Sequence, residues 1–499
     1  MKYRHALCLY PYLSDPVGIA IFPPMGLEYV AAALKGHVHR ISLVDLRHER
    51  RLRSPARMAE FLRQGVDLIC VSINWKSDYR QVCDYVSRLP SGPTIVVGGR
   101  EATEHVEDVF QRCPNVDVVV RGEGEQTSQE LADGEPWDQI LGVSYRRDGH
   151  VVHNPNRPLQ PIEDIVPPDR SLRRNRYAPT AWGVPLWPAE YDMILGSRGC
   201  PYHCKFCTFS LNPLGQKRDW VARSPESVVD EIEASKGDMI MFADDNFFFK
   251  PAWVERICDL LIERRIDKRY YANARIEVAK YPHVLEKAYR AGFRMLLLGI
   301  ESATDRILDQ LGKGFNTRQI RDAFTVLRRF PFYYHAYFIF GNVGETEEEM
   351  MAIADFAGEL GVHGMTLCKL RVDEFTPLRK LVESTPGYWV SSHGNVYSKE
   401  FDKKRLRRMR NRIRNRFLCK PGQLSRSFLA LDRCEILTYR QMMRLGFITP
   451  LILVSYLASR GRKMIHRLRR RFAAQDDEET LTTGIAHGGS PGASEEMSG

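Results

Sequence analysis

The chain has 499 residues, is 43% hydrophobic and carries a formal net charge of +10. That length predicts two or three domains, and the composition excludes a polytopic membrane protein. No secretory leader with a small-residue cleavage site follows "MKYRHALCLYPYL", so the 11 cysteines are expected to be reduced, in a cytoplasmic setting where clustered thiols mean metal or redox chemistry.

In chain order, "HALCLYPYL" reads as a strand broken by Pro11 and "MGLEYVAAALKG" as a helix stopped by glycine. Four further β-rich runs follow, "HRISLVDL", "VDLICVSI", "TIVVGG" and "VDVVVRGEGE", with the amphipathic segments "SPARMAEFLRQG" and "YRQVCDYVSRLP" between them. Strands this apolar on both faces predict a parallel sheet covered by helices, a doubly wound Rossmann-like α/β domain over residues 1–140. Such domains take ligands at the carboxyl ends of their strands. Those ends carry Ser72, Asn74, Gly98, Gly99, Gly122, Glu123 and Gly124. The small residues allow close approach of a large ligand, or they only close tight turns, and the residues alone leave both open. Residues 141–190, rich in Pro, Arg, Asp and Asn, read as a connector without periodicity.

A second α/β series, residues 191–385, begins at "EYDMILGSRGCPYHCKFCTFS", with cysteines at 200, 204 and 207. Three thiolates on one short loop can hold three irons of a [4Fe–4S] cube and leave the fourth open to chelate an amino and a carboxylate group. Structural zinc is the competitor, but it wants four ligands, usually in two pairs. Cys258, Cys368, Cys419 and Cys434 stand alone.

"CPYHCKFC" resembles the signature of radical S-adenosylmethionine (SAM) enzymes, with Phe206 in the aromatic place before the last cysteine. "MFADDNFFF", "YANARIEVAKYPHVLEKAYRAGFRMLLLGIESATDRILDQLGKG" and "FIFGNVGETEEEM" resemble later motifs of that family in the right order. Val343 stands where the last motif usually has proline, and "EFTPL" (Glu374 to Leu378) replaces a later P-G-T loop. "PPMGLEYVAAAL", "VVGGREAT" and "VDVVVRGEGEQT" resemble the cobalamin-binding domain of one large radical SAM subfamily. The resemblance covers residues 1 to about 385. It implies a partial (β/α)6 TIM-like barrel, a [4Fe–4S] cluster on Cys200, Cys204 and Cys207, and SAM near Phe206, Asp244, Asp245, Arg275, Glu301 and Ser302. Asp244 and Asp245 would accept from the SAM ammonium, and Arg275 would pair with its carboxylate. Cobalamin would lie against the strand-end residues above together with Thr103. The loop at Tyr12 to Gly18 contains no histidine, so the expected cobalamin is His-off. The implied reaction is methylation of an unactivated carbon, with flavodoxin or ferredoxin as electron donor.

Residues 386–472 form a basic, helical C-terminal region. Half of "FDKKRLRRMRNRIRNRFLCK" is Lys or Arg, and a short apolar run from about Leu445 to Ala458, with Pro450 inside it, lies between basic clusters. That run is too short to span a bilayer. It fits peripheral contact with an anionic membrane face. An RNA-binding arm ranks second, so nucleic acid is not expected, and a helical extension packed on the barrel is a third reading. Residues 473–499 are acidic and Gly/Ser-rich and predict disorder. A membrane-facing methylase implies a hydrophobic or lipid substrate, and the layout resembles the hopanoid methylases, with the C-3 type as the specific expectation. A radical SAM oxidative cyclase or rearrangement enzyme acting on a tetrapyrrole is the alternative. A tRNA-modifying enzyme ranks lower, because Cys8, Cys70, Cys83 and Cys113 are scattered through the first domain.

Overall fold

A computed structural model describes residues 1–13, 22–163, 165–178, 190–208 and 211–443, the backbone of two short strands at 180–181 and 184–185, and positions 446, 447, 450 and 454. The first half is built on a seven-stranded sheet of order β2-β1-β3-β4-β5-β6-β7. Strands β1 (His5–Tyr10), β2 (Arg40–Asp45), β3 (Leu68–Ser72), β4 (Thr94–Gly98) and β5 (Val118–Val120) run parallel. Helices α1 (Met25–Ala33), α2 (Pro55–Leu62), α3 (Tyr79–Val86), α4 (Arg100–Glu104), α5 (Val106–Arg112) and α6 (Glu125–Asp133) accompany them. Every residue of β1, β3 and β5 is buried, as a sheet covered on both faces requires.

The stretch expected to be an irregular connector starts differently. Strands β6 (Val143–Arg147) and β7 (His150–His153) extend the first sheet as an antiparallel hairpin. Its two-residue loop is Asp148-Gly149, both at positive φ (52° and 80°), and an Asp-Gly pair of this kind is a strong hairpin signal. Farther on, two-residue strands β8 (Thr180–Ala181) and β9 (Val184–Pro185) pair with each other.

The second sheet is a partial barrel of six parallel strands in sequence order: β10 (Tyr191–Ile194), β13 (Met239–Phe242), β14 (Arg269–Ala274), β15 (Phe293–Glu301), β16 (Tyr333–Phe340) and β17 (Gly364–Lys369). Between β10 and β13, β11 (Ser197–Arg198) and β12 (Val221–Ala222) pair antiparallel and close the base of the three-cysteine loop. The barrel's helices are α7 (Pro225–Ala234), α8 (Pro251–Glu263), α9 (Pro282–Arg290), α10 (Asp305–Leu311), α11 (Thr317–Leu327), α12 (Glu347–Leu360) and α13 (Pro377–Ser384). Capping boxes at Asn316/Gln319 and Thr346/Glu349 start α11 and α12, each satisfying backbone donors that a helix start leaves without partners. The turn before α12, which lacks proline at Val343, is held by Glu345 accepting from Asn342 N at 2.9 Å and by the Tyr388 hydroxyl accepting from Gly344 N at 2.7 Å.

A small hairpin, β18 (Tyr388–Val390) and β19 (Val396–Ser398), precedes α14 (Lys403–Leu418) and α15 (Gln423–Arg433). The basic segment packs on the barrel: Leu406, Met409, Ile413 and Phe417 of α14 are buried in the barrel core. Arg412 pairs with Glu347 and Arg416 with Asp355 of α12. Next to α15, Cys434, Ile436 and Leu437 cluster with Met239 and Tyr271 near the amino ends of β13 and β14, closing that end of the barrel. Most of the apolar run at 445–458 lies outside the described residues, as does the acidic tail at 473–499. Among the described residues no helix is long and apolar enough to cross a membrane.

Candidate cofactor cleft

The carboxyl ends of β3, β4 and β5 face the mouth of the barrel across a cavity of about 400 Å³. All eight residues singled out at the strand ends lie on its wall: Ser72, Asn74, Gly98, Gly99, Thr103, Gly122, Glu123 and Gly124. The opposite wall comes from the barrel, through Leu195, Ser197, Arg198, Gly199, Ala243 and Asp245. One cavity is therefore shared by both halves.

Gly99 is at φ +103°, and a Cβ there would sit 2.6 Å from Asn74 Oδ1 and 2.7 Å from Ile73 O. Only glycine fits that close approach. Thr103 Oγ1 donates to Gly99 O (2.9 Å) and accepts from Gly122 N (3.1 Å), tying two strand-end loops together. Asn74 Nδ2 donates to Ser72 Oγ (2.6 Å), and Asn74 Oδ1 accepts from Arg100 N (3.0 Å). Glu123 takes both 2.8 Å hydrogen bonds of Arg218 and an ion pair with Arg198 at 3.2 Å, so it anchors the sheet to the cysteine loop. Among the described lining residues there is no histidine. The loop Ser14 to Gly18 lies outside the described residues. Glycine-lined loops and an apolar floor of Val71, Val96 and Val120 fit a corrinoid.

The three cysteines are half-buried, whereas Cys8, Cys70, Cys83, Cys113, Cys258 and Cys434 are buried. Cys207 N donates to Cys204 O (3.1 Å) and Cys200 N to Arg218 O (3.3 Å). Three accessible thiols on one loop, with no fourth cysteine beside them in sequence, fit a [4Fe–4S] cluster with an open iron. Arg275 is buried against this loop. Its guanidinium lies 3.7 Å from the centre of the Tyr202 ring, donates to Cys204 Sγ (3.5 Å) and to Lys313 O (2.7 Å), and pairs with Glu277 at 2.9 Å.

The remaining residues expected at SAM divide by environment. Asp245 faces the cavity, and burial pushes its carboxyl up to about 6. Asp244 is fully buried and accepts from Gly196 N (3.0 Å) and from the Ser197 hydroxyl; burial pushes it up to about 7. Its carboxylate thus holds the start of the cysteine loop. Glu301 ends β15 with φ +71° and pairs with Lys313 at 3.0 Å, both buried. Ser302 is buried and accepts from Thr304 N at 3.2 Å, just before α10. Phe206 packs on the cluster of Ile339, Val343 and Leu378, with the Lys313 ammonium 5.8 Å from its ring centre. Sequence reasoning did not single out Lys313, Tyr202, Glu277 or Arg218. Lys313 stands in the "LGKG" motif and Glu277 two residues after Arg275, so both were legible; Tyr202 and Arg218 depend on tertiary contacts.

A doubly wound sheet presenting glycine loops to a barrel mouth, beside a three-thiol loop, defines a radical SAM enzyme that uses a cobalamin-binding domain. A Radical SAM superfamily model matches residues 194–357, and a B12 binding domain model matches residues 20–132. An uncharacterised methyltransferase of Pyrococcus horikoshii is 30% identical over 352 residues, 68% of this chain and 74% of that protein. The chain belongs to the cobalamin-dependent radical SAM enzyme family, whose cofactors are a [4Fe–4S] cluster, SAM and cobalamin. The anaerobic magnesium-protoporphyrin IX monomethyl ester cyclase of Cereibacter sphaeroides is 27% identical over 66% of this chain and 55% of its own length. The hopanoid C-3 methylase of Methylococcus capsulatus is 28% identical over 58% of this chain and 57% of its own length. The match thus spans little more than half of these two. The fold is shared with the radical SAM methyltransferase TsrM of Kitasatospora setae, solved with tryptophan and a SAM analogue (TM-score 0.67, 17% identity, 91% of this chain and 100% of that one).

Proposed function

We propose that this cobalamin-dependent radical SAM methyltransferase adds a methyl group to an unactivated carbon of a hydrophobic molecule, with hopanoid-like lipids as the first class to test. The observation that carries the reading is the shared cavity, in which the strand-end loops of the first sheet face Gly199 and Asp245 beside the cysteine loop. When bound, the cluster and SAM supply the radical initiator and the corrinoid the methyl group, while the chain binds, orients and excludes water. Cys200, Cys204 and Cys207 would hold the cluster. Arg275 fixes the loop at Cys204. Asp245 would accept from the SAM ammonium, and Glu301, kept in place by Lys313, would face SAM at the end of β15. Exposed Lys403, Arg407, Arg410 and Arg414 share one face of α14 at helical spacing, and α15 exposes Leu424 and Phe428. That combination supports peripheral contact with an anionic membrane, from which a lipid would enter. An external reductant of the flavodoxin or ferredoxin type would supply electrons.

Anaerobic reconstitution with iron, sulfide and hydroxocobalamin tests the reading: near four irons and one cobalt per chain are expected. Transfer of label from methyl-labelled SAM into a lipid extract would support the lipid class, and cobalt-free protein would sink the methylase reading. The match to the anaerobic cyclase over 66% of the chain favours a second reading, oxidative ring closure. It predicts an oxidised product that carries no label.

A further inference from the structure

We propose that Glu101, Glu104 and His105 form a binding site for a divalent transition-metal cation of the Mn²⁺, Fe²⁺ or Zn²⁺ type, separate from the cofactor cleft and from the cysteine loop. The residues stand at i, i+3 and i+4, and one donor atom from each lies within 4.8 Å of the others. That spread suits a cation bound at about 2.0–2.2 Å from each donor. Glu101 supplies the independent observation. Its exposure is 0%, and neither of its carboxylate oxygens has a hydrogen-bond partner. Glu104 Oε2 also lacks one. His105 Nε2 stands 3.7 Å from Glu101 Oε2, too far for a hydrogen bond.

A fully buried carboxylate with empty lone pairs is costly, because water has been removed and nothing has replaced it. The neighbouring side-chain cations make their short contacts elsewhere. Arg371 at 3.0 Å, Arg100 at 3.4 Å and Lys76 at 3.8 Å converge on Asp373, and Lys76 also reaches Glu104 Oε1 at 3.3 Å. They leave Glu101 and the second oxygen of Glu104 facing the imidazole. His105 itself breaks the chain between α4 and α5 with φ −127° and ψ 46°, which turns its ring out of helical register. It packs edge-on against Tyr79 at 5.5 Å. Two carboxylates and one imidazole make a mixed oxygen–nitrogen donor set, which suits these ions better than the all-oxygen cages of calcium. The site lies just beyond Thr103, on the helix that carries the Gly99 turn, so its role is to brace the wall of the cleft where the sheet domain meets the barrel loop at Asp373.

The test uses the reconstituted, desalted enzyme titrated with Mn²⁺, an ion that prefers oxygen and nitrogen to the cluster thiolates. Free Mn²⁺ is followed by its electron paramagnetic resonance signal and stability by thermal unfolding. Wild type is expected to take up a single tight Mn²⁺ and to unfold at a higher temperature with it. Glu101→Gln and His105→Ala should each lose both the binding and the temperature rise while keeping wild-type iron and cobalt content. Should Glu101→Gln fail to fold, His105→Ala alone decides. No Mn²⁺ uptake by wild type, or uptake undiminished in the folded variants, overturns the proposal.

Discussion

Glu301 and Lys313 form a 3.0 Å ion pair in which both side chains are buried, twelve positions apart and in two separate motifs. Gly299 leaves room for it: a Cβ there would sit 2.6 Å from Glu301 Oε1 and 2.9 Å from Lys313 Nζ. The Lys313 carbonyl in turn accepts from Arg275, which donates to Cys204. Residues scattered over the barrel thus become one chain of contacts ending at the cysteine loop.

Removing one partner leaves a buried charge without compensation. Lys313→Met is expected to destabilise the protein by about 3–5 kcal/mol, read by anaerobic chemical denaturation. The double variant Lys313→Met with Glu301→Gln should recover much of that loss. Equal destabilisation in the single and double variants would show that the pair is not the cause.

Arg275 donates to a cysteine sulfur, and hydrogen bonds to cluster sulfurs raise reduction potentials. A lysine cannot keep the stacked, forked geometry on Tyr202 and Glu277. Arg275→Lys should therefore keep the wild-type iron content and show a more negative cluster potential in a redox titration. An unchanged potential would place the guanidinium away from the cluster.

Asp244 gives a pH dependence with a definite sign. Burial raises its folded-state carboxyl to about 7 from an ordinary 3.8, so the folded state holds its proton more tightly than the unfolded chain. Its contribution to stability is fully present below about pH 3.8 and is lost as pH rises to about 7. Asp244→Asn should reduce the fall in melting temperature between those limits, leaving the part due to Asp245, which burial raises to about 6. A wild-type slope retained in the variant would assign the effect to another group.

Lys403, Arg407, Arg410 and Arg414 are exposed along α14, and near an anionic membrane each basic residue contributes about 1 kcal/mol. Replacing all four with Gln should weaken sedimentation with phosphatidylserine-containing vesicles by roughly a thousandfold and leave neutral vesicles unaffected. If RNA binding fell and vesicle binding did not, the basic face would belong to nucleic acid.

Much of the fold was legible because its signals are local. Continuous apolar runs mark β1, β3 and β5, and the three cysteines fall within eight residues, so the cluster loop declares its chemistry before any folding. The Asp148-Gly149 hairpin was also written locally, but the polar composition of its surroundings hid it. In α14 the apolar positions 406, 409, 413 and 417 stand at helical spacing. The excess of arginine put membrane contact first among the readings, while the helical extension packed on the barrel, ranked third, is what the buried stripe makes of α14.

By itself the sequence determined the parallel sheets, the three-thiol loop and the strand-end glycines, because periodicity, ligand spacing and backbone freedom are properties of neighbouring residues. Tertiary structure decided what those parts face. Of two adjacent aspartates, Asp245 reaches the cavity while Asp244 turns back to the amide of Gly196. Glu301 takes Lys313, and Glu123 takes Arg218 and Arg198 across the junction. Partner choice of this kind depends on distances and desolvation set only when remote strands and loops are packed together, and no local pattern encodes it.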